Sequence, residues 1–255
     1  MSTADFQARQ FELLLPHEIR AALAARPVVY VPLGTYEWHG EHLPIGLDAL
    51  TAHGICLRTA AADGGIVCPP LYYGIGGGHA AYPWTVMMES EAEITAILHK
   101  TLTRLQDFGV HLAVLFSGHF ATQQLAMIAA VAESWNSPGK AMDVLALGVN
   151  MAEGVPMAPD HAALFETTLL GALWPDRVQL GRLPPPRNAE PGEIEEDPFG
   201  PQRHDPAHPL HGIFGPDPRR YDPRQAEHTL AAIVRWTAAQ VGQRISAPAP
   251  SGCAD

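Results

Sequence analysis

Residues 36 to 48 read YEWHGEHLPIGLD and place Glu37, His39, His42 and Asp48 within thirteen residues. Imidazoles and carboxylates are the ligand types that hold divalent zinc, manganese or iron while leaving positions open for water and substrate. Glu37 and His39 are two apart, so an extended backbone turns both to one side. Asp48 can close the shell once the chain turns back at Pro44 and Gly46, and His119, in the SGHF that breaks a strand, is the natural distant ligand. Taken singly, each is more often a loop residue bonded to backbone. Taken as a set, they predict a metal site.

Such a site needs a frame that returns residue 119 to residue 37. Residues 27–33, PVVYVPL, form a β-branched run of the kind a buried strand requires, and the acidic and imidazole-rich loop follows its end. A helix is expected over 49–62 and a short strand over 65–69. From residue 91, apolar positions at 94, 97, 98, 102, 105 and 108 keep a helical period that Gly109 ends, with Glu89 and Glu91 near its start and Ser90 as N-cap. Strands over 111–116 and 142–149 alternate with helices over 122–135 and 161–173, and a further helix covers 223–243. This alternation predicts an α/β fold with a mostly parallel central sheet covered on both faces. Ligands on such sheets sit beyond the carboxyl ends of the strands, where Glu37 and His119 both fall.

Bulk properties narrow the function classes. The chain has 255 residues, 47% of them hydrophobic, enough for one large domain. Its 27 acidic and 16 basic residues give a formal charge of -11, which repels phosphate backbones and excludes a nucleic-acid reader. No apolar run approaches the roughly 20 residues that span a bilayer, and MSTADFQARQ lacks signal-peptide order, so the expected location is cytoplasmic and no membrane partner is expected. Cys56, Cys68 and Cys253 have no metal-binding spacing. The Pro-rich stretch 182–222 is expected to be irregular within one domain spanning 1–255, and 245–255 to be a flexible tail.

At Glu37, His39, Gly40, His42, Leu43, Pro44 and Asp48 the chain resembles the E-x-H-G-x-H-L-P-x-x-x-D pattern of the creatininase, or creatinine amidohydrolase, family. SGHF at 117–120 is similar to that family's N-G-H stretch, DHAALFETTLLGALWPDRV at 160–178 to its H-A-G-x-x-E-T-S segment, and GIFGPDPRRYDP to its G-x-x-G-D-P-x-x-A segment. The similarity runs from about residue 27 to 243. It implies a metal-dependent amidohydrolase on a three-layer α/β/α sandwich, usually a homohexamer. By position it carries metal-ligand roles onto Glu37, His39, Asp48 and His119, with Asp48 as the bridge between two ions. It carries the acid/base role onto His161, and Glu166 matches the family's glutamate five residues later.

The chain also departs from the pattern. Creatininase itself has a metal-binding glutamate two residues beyond the His119 position, where Ala121 stands here, so a second ion must rest on Glu166 or be absent. Phe120, Ala121 and Thr122 replace the G-G-N of other relatives, and Trp84 stands in YPWT where relatives carry P-G-T. These departures argue against creatinine itself as substrate. Tyr36, His79, Trp84 and Phe120 are the expected substrate contacts. His42 is assigned to loop hydrogen bonding, and His204, His208 and His211 to a solvated loop.

The expected chemistry is hydrolysis of an amide in a small cyclic substrate, assisted by one or two divalent ions (zinc, manganese or iron). His161 would protonate the leaving group, as suits an imidazole near its ordinary pKa of about 6.5. The alternative within the enzyme class is a carbon–carbon hydrolase of a cyclic polyol ketone such as a keto-inositol. The alternative outside it is an inactive small-molecule binding protein, against which the intact E-x-H and Asp48 set argues.

Overall fold

A computed structural model describes residues 6–185 and 197–246. Along the chain, α1 (Pro16–Ala25) precedes β1 (Val28–Leu33), α2 (Leu47–Asp63) and β2 (Ile66–Val67). Two short strands, β3 (Gly74–Ile75) and β4 (Met87–Met88), form a separate parallel ladder. Then come α3 (Ala92–Asp107), β5 (Leu112–Ser117), α4 (Thr122–Trp135), β6 (Asp143–Gly148), α5 (Leu164–Leu173) and α6 (Pro223–Ser246).

The main sheet has the order β2-β1-β5-β6 and is parallel throughout. Pleating sends alternate side chains of β1 to opposite faces. Val29, Val31 and Leu33 join Leu98 and Leu102 of α3 and Met127 and Val131 of α4 on one side. Val28 and Tyr30 join Ile55 of α2, Leu169 of α5 and Leu230 of α6 on the other. The result is the parallel sheet covered on both faces that the alternating pattern predicts, and the three-layer α/β/α sandwich that the family resemblance implies. Among the described residues no helix is long and apolar enough to cross a membrane.

Strand order also locates the crevice. The chain leaves β1 through α2 toward β2 on one side, and leaves β5 through α4 toward β6 on the other. The loops after the two central strands therefore part from each other, and a cleft opens beyond their carboxyl ends. Two glycines bring the start of α2 against those ends. A Cβ on Gly34 would sit 2.1 Å from the Ala49 nitrogen, and one on Gly118 would sit 2.1 Å from the Asp48 carbonyl oxygen. Asp48 is thereby pinned between the ends of β1 and β5.

Several elements differ from expectation. α1 was not anticipated; Pro16 opens it, and the Glu18 carboxylate accepts from the Leu15 nitrogen at 2.7 Å. Only Ile66 and Val67 pair within 65–69. Ser90 does not cap α3; its hydroxyl donates to Glu93, and Glu91 holds the cap position without a side-chain bond. The helix expected from 161 begins at Leu164, because the three residues before it form a tight turn. α6 runs on to Ser246, so residues 245 and 246 are helical rather than tail. Within 182–222 the described part carries short 3-10 turns at Pro201–His204 and Pro218–Arg220. Cys253 and the acidic residues at 193, 195 and 196 lie outside the described residues.

Candidate metal centre

Glu37, His39, Asp48, His119 and Glu166 are all 5% exposed or less, although every one is ionisable. Burial of charge at this density is expensive unless it is paired or metal-bound. Beside a group formed by Glu37, His39 and His161, two further groups of ligand atoms converge, Glu37 with Asp48 and His119, and His39 with Asp48 and Glu166, each group with its atoms within 4.8 Å of one another. Asp48 belongs to both. His119 Nδ1 lies 3.0 Å from Glu37 Oε2 and 3.3 Å from Asp48 Oδ2, while His39 Nε2 lies 3.1 Å from Asp48 Oδ1 and 3.4 Å from Glu166 Oε2.

These atoms are close without being hydrogen-bonded. Glu37 Oε2, His39 Nε2 and Asp48 Oδ2 are buried and have no hydrogen-bond partner among the described residues. A buried polar atom left in that state costs about 1–3 kcal/mol. Their lone pairs converge on common points, as ligands of a shared ion do. The outer bonds of the imidazoles agree. His39 Nδ1 donates to the Glu37 carbonyl at 2.9 Å and His119 Nε2 donates to the Ile75 carbonyl at 3.2 Å. Each bond fixes the tautomer that leaves the inward nitrogen with its lone pair.

The field of the site asks for positive charge. Burial opposes charge on His39, but Asp48 and Glu166 outweigh it and raise its pKa to about 10. Burial is likewise outweighed at His119, where the adjacent carboxylates of Asp48 and Glu37 lift the pKa well above the usual range. Burial also works against ionised Glu37, yet His161, His119 and His79 hold its carboxyl well below the usual range. Glu166 goes the other way: burial raises it, His39 opposes, and the nearby carboxylates of Asp48 and Asp160 add to the rise. Divalent cations would satisfy the same field by displacing these protons. Donor types, orphaned atoms and charge therefore fit metal, with Glu37, Asp48 and His119 around one position and His39, Asp48 and Glu166 around another.

A cavity of about 560 Å³ opens onto this cluster and is lined on its far side by His79, Phe120, Ala121 and Thr122. His79 donates from Nδ1 to Glu37 Oε1 at 2.5 Å and stacks on His161 with ring centroids 4.1 Å apart. His161 donates from Nε2 to the Trp38 carbonyl at 3.0 Å, which leaves its Nδ1 as an acceptor. Packed among the rings of His39, His79 and Phe214, it is pushed by burial down to a pKa of about 3. The expectation of an ordinary imidazole near 6.5 is therefore corrected: burial holds His161 neutral at neutral pH.

The structure brings His79 and Phe120 to the cavity and places two other expected substrate contacts elsewhere. Tyr36 stacks on Tyr72 with centroids 4.9 Å apart and bridges to Val86, outside the cavity lining. Trp84 is 80% exposed with φ 61°, at the tip of the loop that carries His79. His42 does not stay in its loop; its ring reaches Thr167 Oγ1 at 3.2 Å and ties the metal loop to α5. Nor are His204 and His211 simply solvated. Tyr82 meets the His204 Nδ1 at 2.8 Å and the His211 ring at 4.7 Å, so the Pro-rich segment packs behind His79. Sequence reasoning also passed over Asp160, whose carboxylate accepts from the Phe165 nitrogen at 2.8 Å. An acidic residue shortly before a helix was its only local signal.

The family model for creatininase, described as creatinine amidohydrolase, matches residues 13–241. The chain belongs to the creatininase family. Creatinine amidohydrolase of Pseudomonas putida is 27% identical over 201 residues, covering 70% of this chain and 76% of that protein. The mycofactocin precursor peptide peptidase of Mycolicibacterium smegmatis is 28% identical over 174 residues, covering 62% of each. A crystal structure of creatinine amidohydrolase superposes with a TM-score of 0.71 at 25% identity, over 94% of this chain and 99% of that one. Similar creatininase structures include a manganese form and a mutant of Zn-Zn type, each 24% identical, with TM-scores of 0.71 and 0.70 over 94% and 93% of this chain and 99% and 98% of theirs. This creatininase-family chain is thus an amidohydrolase-type enzyme.

Proposed function

We propose that the protein hydrolyses a carbon–nitrogen bond in a small, polar, cyclic amide, using two divalent ions drawn from zinc, manganese and iron. The observation that carries this reading is the pair of ligand groups sharing Asp48, with unpartnered buried atoms in both. When bound, such ions lower the pKa of water from 15.7 toward about 7 and polarise a carbonyl. The chain's own residues supply the rest. His161 Nδ1, kept free by the bond from Nε2 to Trp38, takes a proton and returns it to the departing nitrogen. His79 fixes the Glu37 carboxylate, and Phe120 closes one wall of a cavity sized for a small molecule. A cytoplasmic homohexamer completes the reading.

The test is a panel of lactams, cyclic ureas and formamides assayed with chelator-stripped protein and after readdition of zinc or manganese. Hydrolysis of a cyclic amide that disappears on stripping and returns with metal is expected. Equal activity in protein shown by elemental analysis to be metal-free would overturn the metal-dependent reading.

A further inference from the structure

We propose that Asp160 is a positioning residue that aims Glu166, and so sets the second group of ligand atoms. The proposal rests on the two-ion reading above.

α5 begins at Leu164 after Ala163, which offers no side chain to its orphaned first-turn amides. Asp160, 4% exposed, reaches past that cap position from outside the helix. Its Oδ2 accepts from the Phe165 nitrogen at 2.8 Å and its Oδ1 from the Glu166 nitrogen at 3.4 Å. For this the backbone must double back between 160 and 164. Ala162 does so in the left-handed region at φ 56°, a conformation that a residue with a Cβ keeps only when its surroundings impose it.

The doubled-back turn delivers the ligand. The Ala162 nitrogen donates to Glu166 Oε2 at 2.6 Å, and that same oxygen faces His39 Nε2 at 3.4 Å. One carboxylate thus holds the backbone of Glu166 while the turn it closes holds the Glu166 side chain. Across the turn, His161 exchanges both backbone hydrogen bonds with Phe214. Gly215 lets the Pro-rich segment close on Asp160, because a Cβ there would stand 2.5 Å from the Asp160 Cβ. Asp160 itself belongs to neither ligand group. A simple helix cap would support α5 without regard to metal. This one is bonded to the amide of the ligand itself, so its loss should be felt at one ion more than the other.

The test is stepwise zinc affinity by chelator competition, with elemental analysis and circular dichroism, on the full chain, Asp160→Ala and Asp160→Asn. Wild type should hold two ions. Asp160→Ala should weaken one of them about 10 to 100-fold and leave the other unchanged, the size seen when outer partners of metal ligands are removed. Asp160→Asn keeps an acceptor for the Phe165 amide and should stay near wild type. Wild-type affinity at both sites in Asp160→Ala overturns the role of Asp160 alone. Equal weakening at both sites in folded protein also overturns it, as does loss of one ion in folded Asp160→Asn, which decides the matter should Asp160→Ala fail to fold. A wild type holding fewer than two ions instead overturns the two-ion reading itself.

Discussion

The two oxygens of Asp48 face two different imidazoles, with Oδ1 3.1 Å from His39 Nε2 and Oδ2 3.3 Å from His119 Nδ1. A carboxylate that serves two groups couples their fates. His39→Ala is expected to lose one equivalent of metal and His119→Ala the other, while Asp48→Asn loses both. Elemental analysis after dialysis reads the outcome, and circular dichroism verifies the fold. Full metal retention in both histidine variants would remove the site.

Glu166 should behave as a ligand rather than as an orienting group, because its Oε2 stands 3.4 Å from His39 Nε2 within a closed ligand group. Glu166→Gln is then expected to lose about one equivalent together with activity. An orienting role predicts instead an affinity loss of roughly 10 to 100-fold with stoichiometry recovered at high metal. Titration with zinc separates the two.

His42 gives the molecule an acid limit. Burial, with the charges of His39 and Arg219, depresses its pKa from 6.5 to about 3. In the unfolded chain the ring takes a proton below 6.5, whereas the folded chain refuses it until about 3. Its contribution is therefore complete above pH 6.5 and is lost as pH falls. At 1.4 kcal/mol per unit, the 1.5 units down to pH 5 amount to about 2 kcal/mol. His161 shifts in the same direction while the raised His39 and His119 act in the opposite one, so urea denaturation at pH 7.5 and pH 5 should isolate the His42 share as the amount by which the pH-dependent difference moves in His42→Gln, about 2 kcal/mol.

The loop bearing Trp84 predicts assembly. Trp84 is 80% exposed, and Tyr73 and Val86, 48% and 43% exposed, both adjoin Tyr36. Large exposed aromatic side chains grouped near a site mark contact surface. Light scattering is expected to give an oligomer, the hexamer if the chain follows what its family resemblance implies. A mass near 27.5 kDa across micromolar concentrations would refute it.

What the sequence made legible follows from range. Glu37 and His39 lie in the loop after β1 and Asp48 in the first turn of the helix that ends that loop, so their convergence could be read from local spacing. The sheet was legible too, because buried parallel strands are short β-branched runs separated by helical periods. The stacking of His79 on His161 and of Tyr82 on His211 was not, since each pairs residues far apart in sequence with no periodicity to announce them. The low pKa of His161 has the same origin, because burial by Phe214 is a property of the folded Pro-rich segment. α1 was missed because its apolar stripe covers the sheet edge only in part, and none of its residues is fully buried.

Ala121 offers a reverse test of the second ligand group. It borders the cavity together with Glu37, Asp48 and Glu166. The neighbouring Gly77 leaves space on that side, since a Cβ there would stand 3.7 Å from both the Ala121 Cβ and Glu37 Oε1. A glutamate at 121 would extend a carboxylate into that space. Ala121 is also the N-cap of α4 and makes no side-chain bond, so the substitution removes no existing interaction. A negative charge at a helix N-terminus contributes about 0.3–1 kcal/mol, so the change should not destabilise the fold. Glu166→Gln is therefore expected to lose one ion, and the double variant Ala121→Glu/Glu166→Gln to recover it, read as zinc equivalents per chain. A double variant no better than Glu166→Gln would mean that the second group depends on the geometry of the α5 turn and not only on a third carboxylate near Asp48.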